Sequence, residues 1–330
     1  MLTLALTGDV MLGRGVDTAL RHMQPQDVWG DVLPQLLQAD LRIANLECAL
    51  TKHHQPWTRS WKMFHFRADP AAVRCLQAAR IDACSLANNH TLDFEERGLH
   101  DTLHTLDAAG IRHAGAGIDA IEAAAPALLD VSGASPCRVA LLAFTDNEPG
   151  FAAGEAQPGT NFLEVSLGAD ALRRVADAIA RARALGADWV VFSNHWGANF
   201  VERPAPDFRR FARRVIELGA DVYYGHSAHI CQGIEIHQGR PILFDTGDFI
   251  DDYAVDPVLR NDRSCLFKLM FEAGALRRIE LIPVILQVAQ VALARGDDFE
   301  AIAARMQQLC AELGTRLERL ADRLVYAPGP

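Results

Sequence analysis

Short apolar runs alternate along this chain with stretches whose apolar positions recur every third or fourth residue. The runs predict strands at Leu2–Thr7, Leu41–Leu46, Ala83–Leu86, Arg138–Phe144, Trp189–Ser193, Val222–Tyr224 and Pro241–Asp245. Between them the spacing predicts helices over Val28–Gln38, Pro70–Ala79, Phe94–Ala109, Asp170–Leu185 and Asp207–Leu218; Val175, Ile179 and Ala182 form one such stripe. Gly110, Gly186 and Gly219 follow three of these helices, where glycine accepts the left-handed cap. Strands alternating with helices imply an α/β fold in layers, with helices covering a largely buried sheet. Later, Cys265–Phe271 and Leu276–Leu281 read as a hairpin around Glu272-Ala273-Gly274. An Ala-, Arg-, Leu- and Glu-rich helix is expected from about Phe299 to Leu324. The layered domain is therefore placed at residues 1–285, and 286–330 is read as a helical extension packed on it. Residues 148–160 and 51–62 read as loops, the second carrying His53, His54, Trp57 and Trp61.

Composition narrows the partners. Half of the 330 residues are hydrophobic, ample for a large core, and the formal charge is −10. An acidic chain is a poor partner for nucleic acid or an anionic membrane. It still admits an anionic substrate, because a metal ion can reverse the field inside a site. The seven cysteines are odd in number and form no Cys-x-x-Cys pair, so they are expected to be buried thiols in a reducing compartment. Leu2–Thr7 leads into Gly8-Asp9 and not into a cleavage site, so it is read as a strand. No apolar run reaches the ~18 residues of a membrane helix. The expectation is a soluble, cytoplasmic protein with no direct membrane insertion.

The candidate chemistry lies where the apolar runs stop. Asp9 follows the first strand, Asn45 and Glu47 close the second, and Asn88, Asn89 and His90 follow the third. His195 follows Trp189–Ser193, and His226 and His229 follow Val222–Tyr224. Singly, each has an ordinary use: Asp9 in a turn, Glu47 on the surface, Asn88-Asn89-His90 as a helix cap, His195 as a semi-buried histidine. Jointly, five strands end in metal-competent side chains, and α/β sheets bind ligands beyond the carboxyl ends of their strands. Asp9, Glu47, Asn89, His195, His226 and His229 are therefore read as metal ligands. Oxygen and imidazole donors without thiolate suit Mn, Zn, Fe or Co, as one ion or two. Magnesium would prefer fewer imidazoles.

The segments Gly8-Asp9-Val10-Met11-Leu12-Gly13-Arg14, Asn45-Leu46-Glu47, Ala87-Asn88-Asn89-His90, Asn194-His195-Trp196-Gly197 and Gly225-His226-Ser227-Ala228-His229 together resemble the CapA family of poly-γ-glutamate capsule synthesis. That family is a branch of the calcineurin-like metallophosphatase superfamily, and the resemblance spans about residues 2–285. It implies a four-layer α/β fold, two packed β-sheets flanked by α-helices, with a two-metal site at one end. It further implies Glu47 as the bridging carboxylate, with Asn89, His195 and His226 completing one metal site and Asp9 and His229 in the other. His90 would lie by the substrate as general acid. The chain departs from the wider pattern at Met11, where the superfamily has a histidine, at Ser227-Ala228, where His-Pro is frequent, and at Asp248, where Asn is common.

These implications lead first to a metal-dependent hydrolase of a polyglutamate or peptide amide, or of a phosphoester. His90 would be its proton donor, and Arg14, Asn45, Lys62 and Trp196 its substrate contacts. A second reading makes Asp9 and His229 the acid/base pair of a peptide epimerase, freed by the donor lost at Met11. A third is a non-enzymatic accessory role in capsule polymer synthesis.

Overall fold

The computed structural model describes residues 1–133 and 136–329. Two large β-sheets lie face to face. The first, in spatial order, runs Glu318–Arg319, Leu324–Tyr326, Ala275–Gln287, Arg263–Glu272, Leu2–Val10, Leu41–Leu46, Ala83–Ser85 and Arg112–Ala114. Asp248–Ile250 also joins Leu2–Val10, and Gln290–Leu293 joins Ala275–Gln287. The second sheet runs Ile234–His237, Arg240–Leu243, Val222–His226, Trp189–His195, Cys137–Thr145 and Ala127–Val131. Leu2–Val10, Leu41–Leu46, Ala83–Ser85 and Arg112–Ala114 are parallel neighbours. So are Cys137–Thr145, Trp189–His195, Val222–His226 and Arg240–Leu243. Parallel strands end at one edge of their sheet, which is why residues far apart in sequence meet.

Side-chain alternation sorts the apolar residues into three cores. Leu4, Leu6, Leu41 and Ile43 of the first sheet face Val139, Leu141, Val191 and Tyr224 of the second. The opposite face of the first sheet, with Ala5, Ala44 and Leu46, packs on Leu76, Leu99 and Leu106 of its helices. The opposite face of the second, with Ala140, Leu142, Val190 and Phe192, packs on Val175 and Ile179 of the helix Ala169–Ala184 and on Phe211 and Val215 of the helix Pro206–Glu217. This is the four-layer α/β arrangement expected. Each fully buried leucine or isoleucine contributes about 1.5–3 kcal/mol of transfer free energy. The Tyr224 hydroxyl donates to the Thr7 carbonyl at 2.6 Å, tying the two sheets together beside their carboxyl ends.

Two expected helices differ from the structure. The stretch Val28–Gln38 divides into a 3-10 turn Asp27–Val32 and a short helix Leu33–Leu37. The break falls at Gly30, whose φ is +48° and where a Cβ would lie 2.3 Å from the Val291 carbonyl oxygen. The late helix spans Gly296–Glu312 and does not continue to Leu324. Gly314, at φ +82°, donates to Ala311 O, and Thr315 N donates to Cys310 O, the paired bonds of a Schellman cap. The chain then returns as strand Leu324–Tyr326 beside Ala275–Gln287, so the segment after 286 combines a helix with sheet strands. The hairpin forms as expected, with Ala273 and Gly274 both at positive φ in its turn. No helix of the described residues is long and apolar enough to cross a membrane.

Candidate metal centre

Asp9 occupies the middle of the site because its strand is paired on both sides there. Its Cα is opposite Asn45 on one neighbour and opposite Asp248 on the other. Both ladders shift register next to Asp9, and a bulge of this kind re-aims side chains at a sheet edge. The second sheet presents His195 and His226 as direct neighbours at the ends of adjacent parallel strands. His229 follows on a tight loop in which Ser227 (φ +118°) and His229 (φ +59°) are left-handed. Non-glycine residues held so cost about 1–3 kcal/mol each and persist where surroundings fix them. Here the Asp245 carboxylate accepts from Ala228 N at 2.7 Å and Gly247 N at 2.8 Å, and Asn147 donates to the Ser227 hydroxyl at 3.1 Å.

The side chains converge. Asn45 Nδ2 donates to Asp9 Oδ1 at 2.8 Å and lies 3.4 Å from His195 Nδ1. His195 Nδ1 and His226 Nδ1 are 2.8 Å apart, and the far nitrogen of His226 meets the Ser193 hydroxyl at 2.8 Å. His229 Nδ1 lies 2.8 Å from Asp248 Oδ1 and 3.9 Å from Asp9 Oδ2. Glu47 Oε1 is 3.8 Å from both His90 Nε2 and His195 Nε2, while Tyr253 donates to Glu47 Oε2 at 3.3 Å. Potential ligand atoms fall into two groups, Asp9–His195–His226 and Asp9–Glu47–His229–Asp248, each within 4.8 Å internally. Asp9 belongs to both; Glu47, which the resemblance implied as the bridging carboxylate, lies in the second group with its Oε1 3.8 Å from His195 Nε2 of the first.

The donor set fits a divalent cation. Asp9 Oδ2, Glu47 Oε1, Asn89 Oδ1, His195 Nε2 and Asp248 Oδ2 are buried with no hydrogen-bond partner. Burial, then the neighbouring charge of Glu47, pushes the Asp9 carboxyl well above the usual range; burial does the same to Asp248. Burial drives His195 far down, and His226 down to about 3, so both imidazoles are neutral and able to ligate. His229 is opposite: burial disfavours its charge, yet Asp248, Glu47 and Asp9 hold it well above the usual imidazole range.

Beside this group, His90 Nδ1 is 2.6 Å from Asp93 Oδ2, and the ring stacks on Phe66 with centroids 3.8 Å apart. Burial pushes Asp93 up to about 7 and holds His90 well below the usual range. Asp93 was not singled out in the sequence, although its place three residues after His90 is the signal for such a pair. Asp248 was noticed only as a departure from Asn.

The four expected substrate contacts separate. Arg14 is exposed at the rim, its guanidinium 5.3 Å from the Phe66 ring centre and 3.3 Å from Asp252. Lys62 Nζ donates to the Asn89 carbonyl at 2.5 Å and lies near Asp93 and Glu148, so it fastens the His90 segment. Asn45 is fully buried beneath Asp9 and also accepts from Asn88 at 3.1 Å. Trp196 belongs to the outer core of the second sheet, with its indole N–H donating to Phe244 O at 2.9 Å.

Comparison with known proteins places this arrangement. Residues 3–253 match the family described as "Bacterial capsule synthesis protein PGA_cap". A protein of Mycobacterium tuberculosis named "Probable polyglutamine synthesis accessory protein" is 31% identical over 98% of this chain and 95% of its own. The "Capsule biosynthesis protein CapA" of Bacillus anthracis is 27% identical over 87% of this chain and 68% of its own. Among solved structures, the sulfate thiohydrolase SoxB of Thermus thermophilus aligns over 92% of this chain and 60% of its own, at 14% identity and a TM-score of 0.48. With the family match extending through every strand end that carries a candidate ligand, from Asp9 to Asp248, this chain belongs to the CapA-type bacterial capsule synthesis family.

Proposed function

We propose that this chain is a divalent-metal-dependent hydrolase acting on an anionic polymer or peptide amide of the polyglutamate kind, or on a phosphoester. One observation carries the reading: ligand atoms of Asp9, Glu47, His195, His226, His229 and Asp248 gather in two groups that share Asp9, with Asp9 Oδ2, Glu47 Oε1 and His195 Nε2 buried and unpartnered and Glu47 3.8 Å from His90 of the His90–Asp93 pair. Asp9, Glu47, Asn89, His195, His226 and His229 would hold the metal. A divalent ion there supplies Lewis acidity and brings the pKa of water near neutrality. His90 and Asp93 act as one titrating pair that holds a proton for the leaving group; such a donor is usually worth ~10²–10⁴-fold. Arg14 at the rim meets substrate anions. The relatives named for capsule and polyglutamine synthesis support an acidic polymer as the substrate.

The test is purified protein supplied with Mn²⁺ and assayed on poly-γ-glutamate and on a phosphodiester. Glu47→Gln and His195→Ala should each reduce turnover by about 10²-fold or more, because the electrostatic stabilisation of the reaction is lost. Either variant retaining both metal and full activity would sink the reading. Deuterium entering the substrate α-carbon without release of new amines would replace hydrolysis by epimerisation. Hydrolysis is preferred because Asp9, the free base that epimerisation requires, is a member of both donor groups.

A further inference from the structure

We propose that Asp248 is a metal ligand that stands in for the donor lost at Met11, so that the chain holds two ions in chemically unequal sites. This rests on the metal-centre reading above and addresses a point that reading leaves open, whether one ion or two are bound.

Met11 cannot fill the gap itself. Its side chain is buried in the apolar layer outside the first sheet, and its sulfur accepts the Gly13 N–H at 3.0 Å. Asp248 sits where a substitute is needed. It is paired Cα to Cα with Asp9 across parallel strands, and it shares one potential ligand group with Asp9, Glu47 and His229. Its Oδ1 is taken by His229 Nδ1 at 2.8 Å, while Oδ2 is buried and has no partner. Asp9 Oδ2 and Glu47 Oε1 are unpartnered beside it.

The charge balance points the same way. Three carboxylates are fully or almost fully buried together, and among the described residues their charged side-chain partners are histidines only. No lysine or arginine neutralises them. Buried carboxylates in such a group need a cation or protons. Three carboxylates and one imidazole form a hard donor set, suited to Mn²⁺. The Asp9–His195–His226 group is richer in nitrogen and so differs in kind.

The experiment is Mn²⁺ loading followed by gel filtration, with metal counted per chain by mass spectrometry and the Mn²⁺ pair followed by electron paramagnetic resonance. Wild type should retain two ions showing a spin-coupled signal. Asp248→Asn, close in shape and folded by circular dichroism, should retain one ion with an uncoupled signal. His195→Ala should also retain one ion, and the double variant none. Asp248→Ala repeats the Asp248→Asn arm without an amide oxygen. A single ion in wild type, or two ions retained in both Asp248 variants, overturns the assignment of Asp248 while leaving the metal centre standing. No ion retained by wild type overturns both.

Discussion

The donors contributed by the first sheet differ in kind from those of the second. The first supplies oxygen: Asp9 lies near the end of Leu2–Val10, Glu47 and Asn89 follow its strands, and Asp248 opens the short strand Asp248–Ile250. The second supplies imidazole: His195, His226 and His229. Burial treats the two sets in opposite ways. A buried imidazole is pushed toward its neutral, ligating form, so His195 and His226 are ready for metal at neutral pH. Buried carboxylates gathered together are pushed toward protonation, which ligation must undo. His195 and His226 are therefore preorganised without a cation, while the oxygen half, together with His229, whose pKa its carboxylates raise, is organised around one.

The largest expected consequence is a reversal of the pH dependence of stability when metal is removed. Asp245 and Asp93 are raised by burial to about 7, and Asp9, Asp248 and His229 lie well above their usual values. A group whose folded pKa is raised binds protons more tightly folded than unfolded. The stability it contributes is complete below its unfolded pKa and is lost as pH rises through the folded value. His195, His226 and His90 are lowered, so their contribution is present above the unfolded value and is lost as pH falls toward the folded ones. With chelator present, melting temperature should then fall as pH rises through about 7 and on toward the folded values of Asp9, Asp248 and His229. With Mn²⁺ present the decline should vanish or invert, since ligation holds the carboxylates ionised. Parallel melting curves at pH 6.5 and 8.5 check this, and an identical slope with and without metal would break the contrast between the halves.

A smaller effect should follow from cutting the link between them. Asn45 bridges Asp9 of one half and His195 of the other, and Asn88 anchors it. Partners that orient ligands without touching metal typically affect affinity by about 10–100-fold. Asn45→Ala should weaken Mn²⁺ binding by that amount in titration calorimetry, with little change in KM. A raised KM at unchanged metal affinity would return Asn45 to the role of substrate contact.

Much of this site was legible in the sequence because apolar strands ending in polar residues announce a binding edge. Asp9, Glu47, Asn89, His195, His226 and His229 all follow that rule; ligand atoms of five of them lie in two adjoining groups, and Asn89 Oδ1 is buried without a partner. Asp248 was harder to read. Its strand has three residues, and its position depends on pairing with Asp9, remote in sequence. The shared role of Asp9 likewise follows from being flanked on both sides, which no local pattern encodes. The end of the last helix has a local signal in Gly314, which offers the cap, but the helix-forming composition after it masks that single residue. The short strands Arg112–Ala114 and Ala127–Val131 are too brief for periodicity to reveal.

The smallest expected effect concerns Trp196, whose neighbour His195 made it look like part of the site. The strand Trp189–His195 ends just before it, and the chain turns outward, so the indole enters the layer formed with Phe208, Phe211, Tyr223 and Phe244. Trp196→Phe keeps most of the apolar contact but leaves the Phe244 carbonyl without the indole N–H. Leaving a buried acceptor unmade costs about 1–3 kcal/mol, so denaturant unfolding should show a loss in that range. Metal stoichiometry and KM should stay at wild-type values, because the ring lies on the far side of the second sheet from the inter-sheet core. A KM raised tenfold at unchanged stability would mean that the ring turns into the site when substrate binds. The nitrogen half would then share in substrate recognition, a task proposed above for Arg14 at the rim of the oxygen half.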